Sequence, residues 1–360
     1  MNKTGLYNIG LTDRFRQEAT MYENLYLARV SIQHKDKYKV ITEEGEAWAE
    51  VSGKFKYEAV GTESFPAVGD WVMVDRLNDN SGNAIIHNVL RRKSAFERKV
   101  AGYRSDIQIV AANVDVVFIC MALNNDFNIR RLERYISVAW DSMATPVIVL
   151  TKADLCEDIL EKRLEVETVS IGIDGIVTSS MSGEGYEAIK RYIGKDKTVA
   201  FIGSSGVGKS TLINKLMGEE VLETGGISNN DKGRHTTTIR QLLVLPEGGV
   251  VIDTPGMREL HLISGDVNKS FADIDELAAS CKFSDCRHES EPGCAVRKAI
   301  DDGELDQDRL ESYKKLQKEL KYQELKSRSL EKEKVNNMFG SLTKMKNAKR
   351  AAKAKNNRRY

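Results

Sequence analysis

The sequence lacks any apolar segment that approaches the roughly 20 residues needed to cross a lipid bilayer. Its first residues, Met1-Asn2-Lys3-Thr4-Gly5, also lack the apolar core of a secretory signal. The five cysteines are an odd number, which argues against a complete disulfide framework. We therefore expect a cytoplasmic protein that makes no contact with membranes. Its 360 residues predict more than one domain.

A strong excess of either charge is also missing, because 54 basic residues balance 53 acidic ones. Net charge therefore predicts no nucleic-acid partner, but the distribution of charge does. The last segment, residues 344–360, contains eight basic residues and no acidic one. Such a tail is typical of a solvated, disordered end, and it is also suited to RNA phosphates. The two interpretations are compatible.

Changes in sequence pattern predict a multidomain α/β protein. Residues 1–97 contain short runs of β-branched and aromatic residues between turn signals, which favour a small OB-type β-barrel that binds RNA. Residues 98–265 alternate buried strands with helices, which predicts a G domain with a mainly parallel sheet. Residues 266–335 combine a cysteine cluster with helical composition and predict a helical zinc-binding domain, and residues 336–360 form the basic tail.

A phosphate-binding loop is predicted where residues 203–210 read G-S-S-G-V-G-K-S, which fits G-x-x-x-x-G-K-[ST]. Glycines in this pattern turn backbone N–H groups inward, and the helix that follows presents its positive end to the phosphates. Lys209 is expected on the β- and γ-phosphates and Ser210 on Mg²⁺. The predicted contacts from this loop are Gly203, Ser204, Ser205, Gly206, Val207, Gly208, Lys209, Ser210 and Thr211.

A guanine-reading motif precedes the phosphate loop in the chain. Thr151-Lys152-Ala153-Asp154 follows a buried strand and matches N/T-K-x-D. Asp154 accepts hydrogen bonds from guanine N1–H and the exocyclic amine, Lys152 lies over the base, and Ser179 and Ser180 supply a partner loop. In an ordinary GTPase the motif order is reversed, so this order predicts a circularly permuted G domain.

Two further segments are predicted to sense the γ-phosphate and Mg²⁺. Asp253-Thr254-Pro255-Gly256 follows an apolar strand, so the Asp253 carboxylate would hold Mg²⁺ and the Gly256 N–H would meet the γ-phosphate. In the loop between the motifs, Thr237 is the residue we expect to complete the Mg²⁺ shell. The alternative for Asp253–Gly256 is a plain turn, because Asp, Pro and Gly all favour turns.

The residue that would orient the attacking water is not the usual glutamine. Met257 follows Gly256, and a thioether cannot perform that role. His235 is the predicted catalytic residue, as a water-orienting group or base. The alternative is that His235 only packs or contacts phosphate.

Four potential metal ligands follow the Asp253–Gly256 segment, with the spacing Cys281-x4-Cys286-x-His288-x5-Cys294. Three thiolates and one imidazole suit tetrahedral Zn²⁺ with no open position, so we predict one structural zinc ion. The metal would stabilise a loop-rich segment that lacks a large core of its own.

The whole set of motifs resembles the RsgA (YjeQ/EngC) family of GTPases that depend on the small ribosomal subunit. The resemblance covers most of the chain and includes residues 112–115, the guanine motif, the phosphate loop, residues 233–238 and 253–259, and the cysteine cluster. It implies an N-terminal OB domain, a permuted G domain and a C-terminal zinc domain. Two departures are Thr151, where the family usually has asparagine, and the segment Asn230-Asp231-Lys232-Gly233, which is less glycine-rich than usual.

The resemblance implies a monomeric GTPase that uses Mg²⁺ and acts late in assembly of the small ribosomal subunit. Its partners would be that subunit, its rRNA, and GTP or GDP, and the subunit would stimulate hydrolysis. An alternative is a nucleotide-gated RNA-binding module whose hydrolysis is incidental. A small-molecule kinase that uses the phosphate loop is disfavoured by the guanine motif.

Overall fold

A computed structural model describes residues 5–34, 37–99, 107–222, 240–253 and 270–339. The strands are β1 (Tyr26–Gln33), β2 (Tyr38–Thr42), β3 (Gly45–Val51), β4 (Trp71–Val74), β5 (Ala84–Val89), β6 (Ala95–Lys99), β7 (Ile107–Ala112), β8 (Val116–Ala122), β9 (Thr145–Thr151), β10 (Gly175–Val177), β11 (Thr198–Ile202), β12 (Gln241–Val244) and β13 (Val250–Asp253). The α-helices are α1 (Asp13–Ala19), α2 (Gly53–Glu58), α3 (Ile129–Asp141), α4 (Ile159–Val169), α5 (Tyr186–Lys190), α6 (Lys209–Met217), α7 (Ala272–Ala279), α8 (Ala295–Asp301) and α9 (Gln307–Phe339).

The first five strands form a closed barrel. They pair in the order β1-β2-β3-β5-β4, and β4 returns to pair with β1. The β3–β5 pair is parallel and the others are antiparallel, as in an OB-fold. Alternate residues, such as Val40, Ala49, Val72 and Ile86, fill the barrel interior. The predicted barrel is confirmed, with helices α1 and α2 added to the segment.

Strands β8 to β13 form a sheet in the order β10-β9-β8-β11-β13-β12, and among these described strands only β12 runs antiparallel. Its central strands are apolar on both faces because helices cover both sides; all seven residues of β8 are buried. The mainly parallel sheet is therefore confirmed. The phosphate loop, the guanine motif and Asp253 lie at its carboxyl edge.

The barrel and this sheet join directly. Strand β1 pairs with β12 at Ile32 and Gln241, so the two sheets are continuous. The β6–β7 hairpin follows the barrel and leads into β8. Trp71 of the barrel packs in the same core as Ile252 of β13 and Val117 of β8.

The C-terminal segment is helical, as predicted. Helices α7 and α8 flank the cysteine cluster, and α9 starts by packing Leu310, Tyr313 and Leu316 into the core shared with α3. Among the helices in the described ranges, none is long and apolar enough to cross a membrane.

Candidate nucleotide and metal sites

The phosphate loop lies between β11 and α6. Gly203 has φ +145°, and a Cβ atom there would lie 2.4 Å from the Cys120 carbonyl oxygen, so the position requires glycine. Gly208 has φ +101° and caps the N-terminus of α6, which begins at Lys209. The helix therefore presents its unpaired N–H groups to the loop, and the arrangement can bind an anion.

Lys209 lies over its own loop. Its Nζ donates to the Gly203 carbonyl oxygen at 2.9 Å and to the Ser204 carbonyl oxygen at 2.6 Å. Ser205 and Gly206 are exposed at the tip, whereas Val207 is buried in the core below. The Lys209 ammonium group is thus held beside the backbone that would surround the phosphates.

The guanine motif lies next to the phosphate loop. The Thr151 hydroxyl donates to the Val207 carbonyl oxygen at 2.6 Å, which joins the end of β9 to the phosphate loop. Lys152 has left-handed backbone geometry, with φ +59°, and leads into a short 3-10 helix that contains Asp154. The Thr151 hydroxyl therefore ties the two motifs together across 56 residues of sequence.

The predicted serine partner loop also reaches the motif. The Ser179 hydroxyl donates to Asp154 Oδ1 at 2.5 Å and accepts from the Met181 N–H at 3.2 Å. Ser179 is buried, whereas Ser180 and Asp154 are exposed. The Ser179 hydroxyl therefore orients one carboxylate oxygen of Asp154, and the residue remains accessible to a nucleobase.

Asp253 ends β13, which is the parallel neighbour of β11, so it lies at the same sheet edge as the phosphate loop. Burial raises the pKa of the Asp253 carboxyl, and the nearby Lys209 ammonium opposes this shift. A half-buried carboxylate and the hydroxyl of Ser210 are oxygen ligands of the kind that Mg²⁺ prefers. This donor set fits the Mg²⁺ that a GTPase of this family uses with GTP.

Three predicted residues lie outside the described part of the chain. They are His235, Thr237 and Gly256.

The structure adds a contact that the motifs did not predict. Asp126, in the turn after β8, accepts a hydrogen bond from the Ser204 hydroxyl at 2.5 Å. It also forms an ion pair with Arg131 at 2.9 Å. The one signal in the sequence is the position of the polar run Asn124-Asn125-Asp126 directly after a buried strand, where parallel sheets carry their ligands.

The four predicted metal ligands meet in one cluster. The ligand atoms of Cys281, Cys286, His288 and Cys294 all lie within 4.8 Å of one another. Cys281 Sγ is 3.9 Å from Cys294 Sγ, and His288 Nδ1 is 3.6 and 3.4 Å from these two sulfur atoms. A tetrahedral zinc ion with Zn–S bonds of about 2.3 Å sets its sulfur ligands about 3.8 Å apart. The cluster therefore fits one zinc ion bound through His288 Nδ1.

The backbone and its neighbours hold this cluster in place. His288 has φ +57°, in the left-handed region, and its carbonyl oxygen accepts from Lys314 Nζ of α9 at 3.0 Å. Burial and the Lys314 charge lower the pKa of His288. The neutral imidazole, which is the form that binds metal, is thereby favoured.

Comparison with known proteins places these features in one family. The family model described as RsgA GTPase matches residues 89–263. "Small ribosomal subunit biogenesis GTPase RsgA 2" of Lactiplantibacillus plantarum is 51% identical over 345 residues, which is 96% of this chain and 97% of that protein. "Small ribosomal subunit biogenesis GTPase RsgA 1" of Oceanobacillus iheyensis is 48% identical over 304 residues, covering 83% of this chain and 86% of that protein.

Solved structures give the same result. YjeQ from Thermotoga maritima superposes with a TM-score of 0.62 at 30% identity, over 82% of this chain and 98% of that one. YloQ, described as a circularly permuted GTPase, superposes with a TM-score of 0.58 at 25% identity, over 83% of this chain and 96% of that one. The predicted permutation is thereby confirmed, and this chain belongs to the RsgA family of GTPases.

Proposed function

We propose that this protein hydrolyses GTP as a late-stage assembly factor of the small ribosomal subunit, and that the subunit stimulates hydrolysis. The observation that carries the proposal is 51% identity, over 96% of the chain, to a relative named for small ribosomal subunit biogenesis. The site supports it, because the phosphate loop, the guanine motif and Asp253 lie at one sheet edge. The protein would act as a monomer in the cytoplasm, with no membrane partner.

In this proposal each site residue has a separate task. The loop from Gly203 to Thr211 surrounds the phosphates, and Asp154, supported by Ser179, reads the guanine edge. Ser210, Thr237 and Asp253 hold Mg²⁺, which neutralises charge on the β- and γ-phosphate oxygens when bound. Lys152 and Ser180 complete the base pocket.

His235 is the proposed catalytic residue. The side chain that follows Gly256 is Met257, which cannot accept a hydrogen bond from water well enough to orient it. An imidazole can do so. If the His235→Ala variant kept its full subunit-stimulated rate, the catalytic role would be abandoned and His235 would be a packing or phosphate-contact residue.

Ribosomal RNA is the proposed ligand of the three segments that flank the G domain (98–265) in the sequence. They are residues 1–97, the zinc domain (266–335) and the basic tail (336–360). On the barrel, the rings of exposed His34 and half-buried Trp48 lie 5.7 Å apart, and Tyr57, which follows Lys56 in α2, is 92% exposed. Exposed aromatic rings beside basic groups suit stacking on unpaired bases.

Co-sedimentation tests the assignment without depending on the hydrolysis rate. The protein should pellet with purified small subunits in a non-hydrolysable GTP analogue, less so in GDP, and not with large subunits. Competition by GTP but not ATP for labelled GDP should accompany this result. Equal binding of ATP would favour the kinase alternative instead. Binding to both subunits alike would leave only a general RNA-binding module.

A further inference from the structure

The turn before helix α3 contacts the phosphate loop, and the first half of α3 contacts the C-terminal helix α9. At the loop end, Asp126 accepts from the Ser204 hydroxyl at 2.5 Å. Arg131, in the first turn of α3, pairs with the same carboxyl at 2.9 Å and also donates to the Asp126 carbonyl oxygen. Burial works against ionisation of Asp126, but the contacts from Ser204 and Arg131 outweigh it and lower the pKa of its carboxyl. The loop hydroxyl is thus held by an ionised group that is fixed to α3.

In the second turn of α3, Glu133 is 1% exposed and accepts from two residues of α9. Arg309 Nη1 donates to Glu133 Oε1 at 3.0 Å, and the Ser312 hydroxyl donates to Glu133 Oε2 at 2.6 Å. The next residue, Arg134, makes a two-bond ion pair with Glu319, at 2.6 and 3.1 Å. A buried carboxylate must keep its partners, so α3 cannot move relative to α9 without breaking these bonds or carrying α9 with it.

The start of α9 is in turn fixed to the metal-binding segment. Arg309 also holds Asp273 of α7 through two hydrogen bonds, at 2.7 and 2.8 Å. Lys314 donates to the carbonyl oxygen of the metal-ligand residue His288 at 3.0 Å. A displacement of the C-terminal segment therefore reaches Glu133 first, and through α3 it reaches Asp126.

We propose that Asp126 is a positioning residue for the phosphate loop, and that α3 couples its position to the C-terminal helix through Glu133. This inference rests on the proposed function, because it gives the nucleotide site a second connection to the C-terminal domain besides the chain that follows Asp253. A change in the position of α9 is passed through α3 to Asp126 and so alters the position of Ser204. The affinity of the loop for phosphates changes with it.

The loop end is tested on the full-length, zinc-loaded protein by the dissociation constant for a fluorescent GDP. Ser204→Ala and Asp126→Ala each remove the same charge-assisted hydrogen bond, so each should weaken binding about tenfold. The double variant should also lose about tenfold, not a hundredfold, because the two residues act as one unit. Ser204→Thr keeps the hydroxyl and should restore the affinity of the unmodified protein.

The coupling is tested with Ser312→Ala, which removes one bond to Glu133 far from the nucleotide. It should weaken GDP binding about threefold in the unmodified protein and have no effect when Ser204→Ala is already present. Thr168→Ala is the matched control, since this exposed hydroxyl bonds only to its own helix. It should leave affinity unchanged in both backgrounds.

The outcomes separate the two proposals. If the unmodified protein binds no GDP, the proposed function fails. If it binds GDP but Ser204→Ala does not alter affinity, or if Ser312→Ala acts equally in both backgrounds, the coupling through α3 is overturned. Should Asp126→Ala fail to fold, as judged by circular dichroism, the comparison of Ser204→Ala with Ser204→Thr gives the same decision.

Discussion

The guanidinium of Arg29 donates to the hydroxyl of Thr198 at 2.8 Å. Arg29 belongs to barrel strand β1, and Thr198 is the first residue of β11, the strand that leads into the phosphate loop. Both side chains are fully buried. Arg29 also donates to the carbonyl oxygens of Ile9 and Gly69, and its group lies 5.1 Å from the centroid of the Trp71 ring. Burial lowers its pKa to about 10, although Asp115 and Asp70 oppose the shift, so it stays charged at neutral pH.

Replacing the Thr198 hydroxyl by a methyl group should destabilise the junction between the barrel and the G domain. Thr198→Val keeps the shape of the side chain but removes the acceptor, so the buried Arg29 guanidinium loses one of its hydrogen-bond acceptors. We expect the free energy of unfolding to fall by about 1–3 kcal/mol. Denaturant unfolding measures it, and Thr168→Ala on the surface should change it by less than about 0.5 kcal/mol. An unchanged midpoint would show that the Thr198 hydroxyl does not contribute.

Asp253→Asn should stabilise the nucleotide-free protein while it removes Mg²⁺-dependent binding. Burial raises the pKa of Asp253, so the folded state favours the protonated form. At a pH above both the ordinary and the raised pKa, Asp253 is ionised, and its buried charge lowers the free energy of unfolding. Asparagine carries no charge and removes this loss. We expect a higher Tm than the unmodified protein at pH 7, and a difference that shrinks as the pH falls through the range between the raised and the ordinary pKa.

Mg²⁺ and GTP supplied together should not raise the Tm of Asp253→Asn above its nucleotide-free value. Asp196→Asn, an exposed exchange of the same kind, is the control and should leave both Tm values unchanged. A lower Tm for nucleotide-free Asp253→Asn would contradict the account, because it would mean that the carboxylate stabilises the fold.

Thr151→Val tests the bond that joins the guanine motif to the phosphate loop. It removes the hydroxyl that donates to the Val207 carbonyl oxygen at 2.6 Å and leaves that oxygen unpaired. We expect GDP affinity to fall about fivefold to tenfold, the value of about one hydrogen bond. Thr151→Ser keeps the hydroxyl and should bind as the unmodified protein does. If serine weakened affinity as much as valine, keeping the hydroxyl would not preserve binding, and the hydrogen bond to Val207 would not be responsible for the loss.

Metal analysis of the purified protein should give one zinc ion per chain, held by the four clustered ligands. Cys294→Ser should lose the ion, because a closed tetrahedral site needs all four donors. Cys156→Ser lies outside the cluster and should keep it. Chelation should lower helical circular dichroism as the segment around α7 and α8 loosens. A folded, metal-free protein with an unchanged spectrum would rule out the structural role.

Much of the barrel could be predicted from the sequence because its short runs of β-branched and aromatic residues lie between turn signals. The runs 38–42, 71–74 and 84–89 predict strands with the bounds observed for β2, β4 and β5. Helix α1 was not predicted, because its seven residues bury a single large side chain, Phe15, and give no helical repeat. The buried Arg29 was also missed, since nothing in its local sequence separates it from a surface arginine.

The phosphate loop, the guanine motif and the cysteine cluster could be recognised because each lies within a short segment whose spacing carries the chemistry. Contacts between segments could not. The Ser204 and Asp126 side chains meet across 78 residues, and those of Arg309 and Glu133 across 176. Only the order of strands in the sheet and the docking of α9 bring them together, and neither is encoded in a local pattern.

The decisive measurement is the rate of GTP hydrolysis by the purified protein alone, with purified small ribosomal subunits, and with large subunits. We expect a slow rate for the protein alone, a rate at least tenfold higher with small subunits, and no increase with large subunits. Single-turnover conditions should show the same increase, since the subunit acts on the chemical step. A rate that small subunits leave unchanged, or that both subunits raise equally, would contradict the account.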